Sequence, residues 1–180
     1  GELVIRAAAF EHRLAAVVSD PGSVDIWLAW PQNLRDIAKA GDAQTVNQIW
    51  ANDVVPFLTP DESFNVKKRG EIFDKAFLTE AREGKVLTDF SLLAKRIQEY
   101  TVAAVADRVK APVLVTNYQD EQFYPGQAEQ LFSVLRGRKD LVTFTVSEGA
   151  SLHCAPMAPQ FRNEVVFDWL DDTLAKPRSK

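Results

Sequence analysis

Three short apolar runs, each followed by a loop, constrain the fold of this 180-residue chain more than any other feature. The first covers residues 14–18 and is closed by the turn sequence Ser-Asp-Pro-Gly. The other two cover residues 112–116 and 141–145. A continuous apolar run bounded by turn residues is typical of a strand that is buried on both faces, as in a parallel sheet.

Helical spacing of apolar residues alternates with these runs. It predicts helices over residues 2–13, 126–135 and 159–174. Helices that alternate with buried strands indicate an α/β fold, in which helices flank a mostly parallel sheet. His12 closes the first predicted helix, where a cation suits the helix dipole, and we interpret it as structural.

The middle of the chain, residues 31–105, has a different pattern. Its apolar residues recur mostly every three or four positions, with interruptions at Pro56 and Pro60. This spacing predicts a helical insertion, and residues 1–30 and 106–175 are assigned to the α/β core. A helical insertion of this length between strands often forms a lid over a site, and extra packing is the alternative.

Composition excludes several classes of partner. The net charge is -4, whereas a nucleic-acid-binding protein needs a clustered positive field, so no nucleic-acid partner is expected. A single cysteine forms no internal disulfide, which favours a reducing compartment and a cytoplasmic location. No apolar run approaches the roughly 18 residues of a membrane span, so no membrane partner is expected. The basic tail, residues 176–180, is predicted to be disordered.

Cofactor and metal sites lack sequence support. The chain has neither a G-x-G-x-x-G sequence nor a Walker loop, so no nucleotide cofactor is predicted. The nitrogen and sulfur ligands are limited to His12, His153 and Cys154, which form no zinc-binding spacing, so no metal is predicted. Cys154 is interpreted as a small buried residue, because Cys–His catalysis needs side chains that face each other and sequence neighbours seldom do.

Two loops carry the candidate catalytic residues. Asp120 lies in the loop after the second predicted strand, and His153 lies in the loop after the third. A right-handed helical crossover between neighbouring parallel strands brings both loops to the same sheet edge, where α/β proteins place reactive groups. An acid beside a histidine can fix its tautomer and stabilise the imidazolium that forms when the ring takes a proton.

Each of the two residues also has a purely structural interpretation. Most loop aspartates serve as turn or helix-capping residues, and Asp120 could be one of them. His153 could be a surface or hydrogen-bonded structural histidine. The order of the two residues along the chain and their shared topology favour the catalytic interpretation.

Several stretches of the chain resemble the C-terminal part of an α/β-hydrolase, in which the order is nucleophile, acid, histidine. The similarity is highest to the branch of dihydropseudooxynicotine hydrolase, fungal polyketide-shortening hydrolases and acyl-peptidase-like esterases. The stretches that carry the resemblance are Arg-Ala-Ala-Ala-Phe-Glu at 6–11, the acid loop running into Pro-Gly-Gln-Ala at 125–128, residues 148–154, and Phe-Asp-Trp-Leu at 167–170.

The resemblance implies that Asp120 is the triad acid and His153 the general base. The nucleophilic serine of the family lies in G-x-S-x-G, and none of the eight serines present has that context. Gly1 is placed at the end of that motif, so the serine and the oxyanion hole are expected upstream. We therefore expect this chain to be the later part of a larger hydrolase and to be inactive alone.

Two functions remain open at this point, and a third interpretation is an unrelated α/β domain in which Asp120 and His153 occur by chance. The first is a cofactor-free serine hydrolase that cleaves an ester, an amide or a carbon–carbon bond in a small-molecule substrate, with the missing N-terminal part of the same hydrolase as partner. The second is a non-catalytic hydrolase-like fragment or binding module that associates through its exposed sheet edge. A second copy of the chain, forming a homodimer, is a further candidate partner.

Overall fold

The computed structural model describes residues 1–175, and the tail predicted to be disordered lies outside the described residues. The chain forms two compact units. The core unit comprises residues 1–29 and the described chain from Thr101 onward, and the helical unit comprises Trp30–Tyr100. Residues 101–105, which the sequence interpretation placed in the insertion, lie in the core unit.

The described residues contain eight α-helices and three strands, together with short 3-10 and π-helical turns. The helices are α1 (Glu2–Ala8), α2 (Gln32–Ile37), α3 (Ala43–Ile49), α4 (Pro60–Gly70), α5 (Lys75–Arg82), α6 (Phe90–Gln98), α7 (Gln127–Val134) and α8 (Pro159–Ala175). The strands are β1 (Val17–Ser19), β2 (Val113–Tyr118) and β3 (Lys139–Phe144). They form a parallel sheet in the order β1-β2-β3, so the predicted α/β architecture is confirmed.

Alternating residues of β2 contact helices on opposite faces of the sheet. Val113 and Val115 belong to a buried cluster that also contains residues of α1 and α7. Tyr118 belongs to a second cluster with Phe144 of β3, and Phe161 of α8 packs against that cluster. Because side chains alternate along a strand, β2 has an apolar residue for each face, and this explains its continuous apolar sequence.

The first helix is shorter than predicted. It ends at Ala8 rather than at residue 13, and β1 covers residues 17–19 rather than 14–18. The apolar spacing that extended the helix included Phe10, which is 59% exposed and lies over the guanidinium of Arg108 instead of in the core. His12 consequently lies on the surface beyond the helix and does not close it.

The helical unit has its own aromatic core. Trp50 and Phe90 are fully buried and stack with ring centroids 4.5 Å apart, and Trp50 Nε1 donates to the carbonyl of Leu87 at 2.8 Å. Thr59 and Glu62 form a capping box at the start of α4, where Pro60 occupies the first turn. The predicted interruption at Pro60 is therefore the start of a helix, because proline suits that position.

The loop after β1 is held by a buried glutamine. Gln127, at the start of α7, accepts through Oε1 from the backbone N–H groups of Val24 (2.8 Å) and Asp25 (2.9 Å). Its Nε2 donates to the carbonyl of Asp25 at 2.8 Å. Gly22 in the same loop donates to the carbonyl of Thr116 at 2.8 Å, which brings its Cα against β2 and α7.

Gly22→Ala is expected to lower the free energy of unfolding by about 1–3 kcal/mol because of overpacking. A Cβ atom there would lie 2.4 Å from Val115 Cγ1 and 2.8 Å from Ala128 Cα. Gly41→Ala is the control, since the three atoms nearest to its Cβ would all belong to the side chain of the exposed Thr45, the nearest at 3.1 Å. Urea unfolding monitored by tryptophan fluorescence measures both, and equal effects of the two substitutions would contradict the close packing at Gly22.

No helix among residues 1–175 combines the length and the apolar character needed to cross a membrane.

Candidate active site

The loops after β2 and β3 lie side by side at the carboxyl edge of the sheet. Asp120 N donates to the carbonyl of Ser151 at 2.9 Å, and Asp120 pairs with Leu152 in an isolated parallel bridge. The backbone pairing of the two strands is thus resumed between the two loops. It places His153 beside the residues that follow β2, at the sheet edge where both candidate residues were expected to meet.

The imidazole of His153 is hydrogen-bonded to Glu121. The distance from His153 Nδ1 to Glu121 Oε1 is 2.8 Å, and the two side chains are 25% and 6% exposed. The same carboxylate oxygen accepts from the backbone N–H groups of Phe123 (2.8 Å) and Tyr124 (3.2 Å). A carboxylate that is bonded to N–H groups acts as an acceptor, so His153 carries its proton on Nδ1 and leaves Nε2 available as a base.

Asp120 is not the partner of His153. Its side chain is exposed, and its carboxylate makes no hydrogen bond or ion pair with the described residues. Strand β2 continues to Tyr118, two residues beyond the predicted end, and Asp120 still pairs with Leu152. The chain turns after Tyr118, and the carboxylate that this turn brings to His153 is that of the next residue, Glu121.

Sequence reasoning missed Glu121, although a signal was present. Glu121 lies two residues before Phe123 and three before Tyr124. At this spacing a carboxylate can accept from the backbone N–H groups of a turn after a strand, as a capping side chain does at the start of a helix. Glu121 N itself donates to the carbonyl of Tyr118 at 3.1 Å, which closes this turn. This turn directs the Glu121 carboxylate back toward the end of β2, where it reaches His153.

Aromatic rings flank the imidazole. The ring of Phe123 meets His153 edge-on at a centroid distance of 4.7 Å, and Tyr124 lies at 5.9 Å with a tilt of 36°. Phe123 is 44% exposed, so an apolar surface borders the histidine on the solvent side. Such a border reduces access of water to the hydrogen bond between His153 and Glu121 and offers apolar contact to a substrate.

Cys154, beside His153, is partly buried and is not an activated thiol. Burial raises the pKa of the Cys154 thiol, and the negative charge of Asp20 acts in the same direction, with the guanidinium of Arg162 opposing it. The thiolate is the reactive form of cysteine, so these neighbours keep Cys154 in its unreactive form. This agrees with the interpretation of Cys154 as a packing residue.

No hydroxyl nucleophile contacts the histidine within residues 1–175, where the hydrogen-bonding partner of the His153 ring is Glu121. Ser151, two residues before His153, is 8% exposed, and Ser19 at the end of β1 is fully buried. In that part of the chain, no group of three or more His, Cys, Asp and Glu side chains is arranged to hold a metal ion.

Several solved structures share this arrangement of helices and strands. The structure of DcsB with its substrate analogue matches 97% of this chain with a TM-score of 0.58 at 15% identity, and the match covers 62% of the DcsB chain. The monoacylglycerol lipase of Paleococcus ferrophilus matches 94% of this chain with a TM-score of 0.50 at 18% identity, covering 64% of that chain.

An α/β-hydrolase enzyme from a Medee basin deep-sea metagenome library matches 99% of this chain with a TM-score of 0.50 at 14% identity. The match covers 63% of that enzyme. This chain has the fold of the C-terminal part of an α/β-hydrolase. It spans less than two thirds of each of these hydrolases. No protein-family model and no curated protein matches the sequence.

The α/β-hydrolase fold that the resemblance implied is confirmed. The narrower branch, with dihydropseudooxynicotine hydrolase and its relatives, stays a prediction. In this hydrolase fold, the loops after β2 and β3 carry Glu121 and His153 in the chain order acid, then histidine.

Proposed function

We propose that this chain supplies the acid and the histidine of a serine-hydrolase triad of the α/β-hydrolase type, with Glu121 as the acid and His153 as the general base. The observation that carries the proposal is the 2.8 Å hydrogen bond between His153 Nδ1 and Glu121 Oε1 at the carboxyl edge of the sheet. The nucleophilic serine and the oxyanion hole belong, in this proposal, to a segment outside residues 1–180.

The chemistry follows from the orientation of the imidazole. With its proton on Nδ1, His153 takes the proton of the serine hydroxyl through Nε2 as that oxygen attacks the substrate carbonyl. The carboxylate of Glu121 stabilises the resulting imidazolium. His153 then returns the proton to the leaving group, and water repeats the sequence to release the acyl group.

The substrate is a small molecule with an ester, an amide or a carbon–carbon bond beside a ketone. The lid predicted for residues 31–105 remains part of the proposal, and the compact helical unit Trp30–Tyr100 is the segment that would form it. Ester hydrolysis is the first activity to assay, because the structures with the same fold include a monoacylglycerol lipase. No cofactor is needed for this chemistry.

Labelling with a fluorophosphonate tests the proposal, in a polypeptide that joins this chain to its upstream sequence. We expect one labelled serine, located before Gly1, and about 10²–10⁴-fold slower labelling in the His153→Ala variant. His12→Ala is the matched control, since His12 is the other of the two histidines and lies on the surface. Equal labelling of both variants would refute the role of His153.

The labelling result also distinguishes the proposed serine hydrolase from the non-catalytic alternative. A polypeptide that folds but shows no labelled serine would support a non-catalytic hydrolase-like fragment that binds a partner through its sheet edge. Both β1 and β3 are edge strands within the described sheet, and edge strands can accept a further strand.

A further inference from the structure

Arg162 connects the loop that carries His153 to another part of the core unit. This residue lies in the first turn of α8, and its Nη1 donates to the carbonyl of Cys154 at 3.1 Å. The same nitrogen lies 3.4 Å from Asp20 Oδ2. The Arg162 side chain is 24% exposed, and Nε and Nη2 both contact Asn163 Oδ1, which sets the plane of the guanidinium.

Asp20 forms the other end of this connection. It directly follows β1, and its Oδ1 accepts from the hydroxyl groups of Tyr118 (2.5 Å) and Thr116 (2.7 Å), both in β2. Burial raises the pKa of Tyr118, and its hydrogen bond to Asp20 adds to the rise, so the phenol keeps its proton and remains a donor. The Asp20 carboxylate therefore has a defined orientation relative to the sheet.

The backbone immediately after His153 is strained. Cys154 and Ala155 have φ values of 58° and 45°, in the left-handed region that non-glycine residues rarely adopt. Such residues cost on the order of 1–3 kcal/mol each and persist where surrounding contacts hold them. The hydrogen bonds from Arg162 to the Cys154 carbonyl and from Ala155 N to the carbonyl of Leu152 (2.7 Å) are contacts of this kind.

We propose that Arg162 is a positioning residue for His153, which acts by holding the strained loop after β3 against Asp20 at the end of β1. His153 directly precedes Cys154, whose carbonyl accepts from Arg162. Loss of the Arg162 contact therefore lets the loop relax and moves His153 Nδ1 away from Glu121. The catalytic part of this role rests on the proposed function, whereas the effect on the hydrogen bond of His153 does not.

The direct test is proton NMR of the His153 Nδ1–H in this chain. The hydrogen bond to the buried Glu121 is expected to give a downfield resonance in the unaltered protein, and Glu121→Gln identifies it by removing it. We expect the resonance to be lost or broadened in Arg162→Ala. His12 does not interfere, because its ring is on the surface and exchanges its protons with water. An unchanged resonance in Arg162→Ala would overturn the inference.

The control is Arg138→Ala. Arg138 Nη2 donates to Thr173 Oγ1 at 3.3 Å, so it tethers the opposite end of the same helix. A general loosening of α8 would affect the resonance in both variants, whereas positioning through the loop affects it in Arg162→Ala alone. Equal loss in the two variants would therefore also overturn the inference.

Kinetics in the polypeptide that includes the nucleophile test the consequence for catalysis. Arg162→Ala is expected to lower kcat by about 10- to 100-fold with KM within about twofold, since misplacing a catalytic group by about 1 Å costs this much. If Arg162→Ala does not fold, Arg162→Lys replaces it and is expected to keep less than about half of kcat, because a single ammonium does not reproduce the planar fork. An unchanged kcat in a folded variant would contradict positioning.

The two proposals fail in different ways. An unaltered polypeptide without hydrolytic activity and without a labelled serine would refute the proposed function. The His153 resonance of Arg162→Ala would still decide the positioning role in that case, because it does not depend on turnover.

Discussion

Glu121→Gln is expected to lower the hydrolytic kcat by about 10²–10⁴-fold, whereas Asp120→Asn leaves kcat within about threefold. The carboxylate of Glu121 accepts the Nδ1 proton of His153 at 2.8 Å, but the carboxylate of Asp120 is exposed and has no partner among the described residues. A glutamine amide can donate to Nδ1, which favours the wrong tautomer and leaves an imidazolium without its counter-charge. Steady-state hydrolysis by the polypeptide that includes the nucleophile measures both values.

The two substitutions form a closely matched pair. They lie at adjacent positions, and each replaces one carboxylate by an amide, so their long-range electrostatic effects are similar. Near-equal losses in the two variants would contradict the assignment of Glu121, and a loss confined to Asp120→Asn would restore the acid that the sequence predicted. Thermal unfolding of both variants establishes that the activities are compared between folded proteins.

Glu2→Gln is expected to favour folding by about 2–3 kcal/mol more at pH 8 than at pH 5. Glu2 is 3% exposed, and neither carboxylate oxygen has a hydrogen-bond partner among residues 1–175. Burial raises the pKa of Glu2 from 4.5 to about 7, and the negative charge of Asp25 adds to the rise. A buried, unpaired carboxylate is costly because nothing replaces its hydration.

The direction of the pH effect follows from these pKa values. Well below pH 4.5 the carboxyl group is protonated in both the folded and the unfolded chain, so its titration does not affect stability there. As the pH rises from 4.5 to 7, the unfolded chain releases the proton while the folded chain retains it, and stability is lost over this range. Above pH 7 the loss is complete and constant.

Urea unfolding at pH 5 and pH 8 measures this effect as the difference between variant and unaltered protein. Taking the difference removes the contributions of the other titrating groups, which both proteins share. Glu164→Gln, which changes an exposed carboxylate of α8, is the control and is expected to show a difference of less than about 0.5 kcal/mol at either pH. A gain for Glu2→Gln that is the same at both pH values would contradict the raised pKa of Glu2.

The sequence pattern was most accurate for elements whose structure depends mainly on their own residues. The apolar runs in residues 112–116 and 141–145 overlap β2 and β3. Strand β2 is buried on both faces and is therefore mostly apolar, whereas β3 has exposed residues at Asp140 and Thr143. The run at 14–18 was less accurate, and β1 covers only Val17–Ser19. The extent of that strand depends on its pairing with Val113–Val115 of β2, which no local pattern records.

The first helix shows the same limit. Residues 2–13 have helical apolar spacing, but the helix ends at Ala8, and the exposed Phe10 lies over Arg108, which is nearly 100 residues away in the sequence. The contact between Phe10 and a distant segment thus outweighed the local helical preference that the apolar spacing indicated. The position of His12 on the surface follows from this early end.

The sequence by itself determined the α/β class, the presence of a helical segment in the middle of the chain, and His153 in a loop after a strand. Only the tertiary structure decided which carboxylate meets the histidine and what holds the histidine loop. The choice between Asp120 and Glu121 depends on the turn after β2, which Glu121 N closes with the carbonyl of Tyr118 and in which the Glu121 carboxylate accepts from Phe123 N and Tyr124 N. The connection from Asp20 through Arg162 to Cys154 joins residues from three distant segments, and such a connection exists only once the sheet and α8 have packed together.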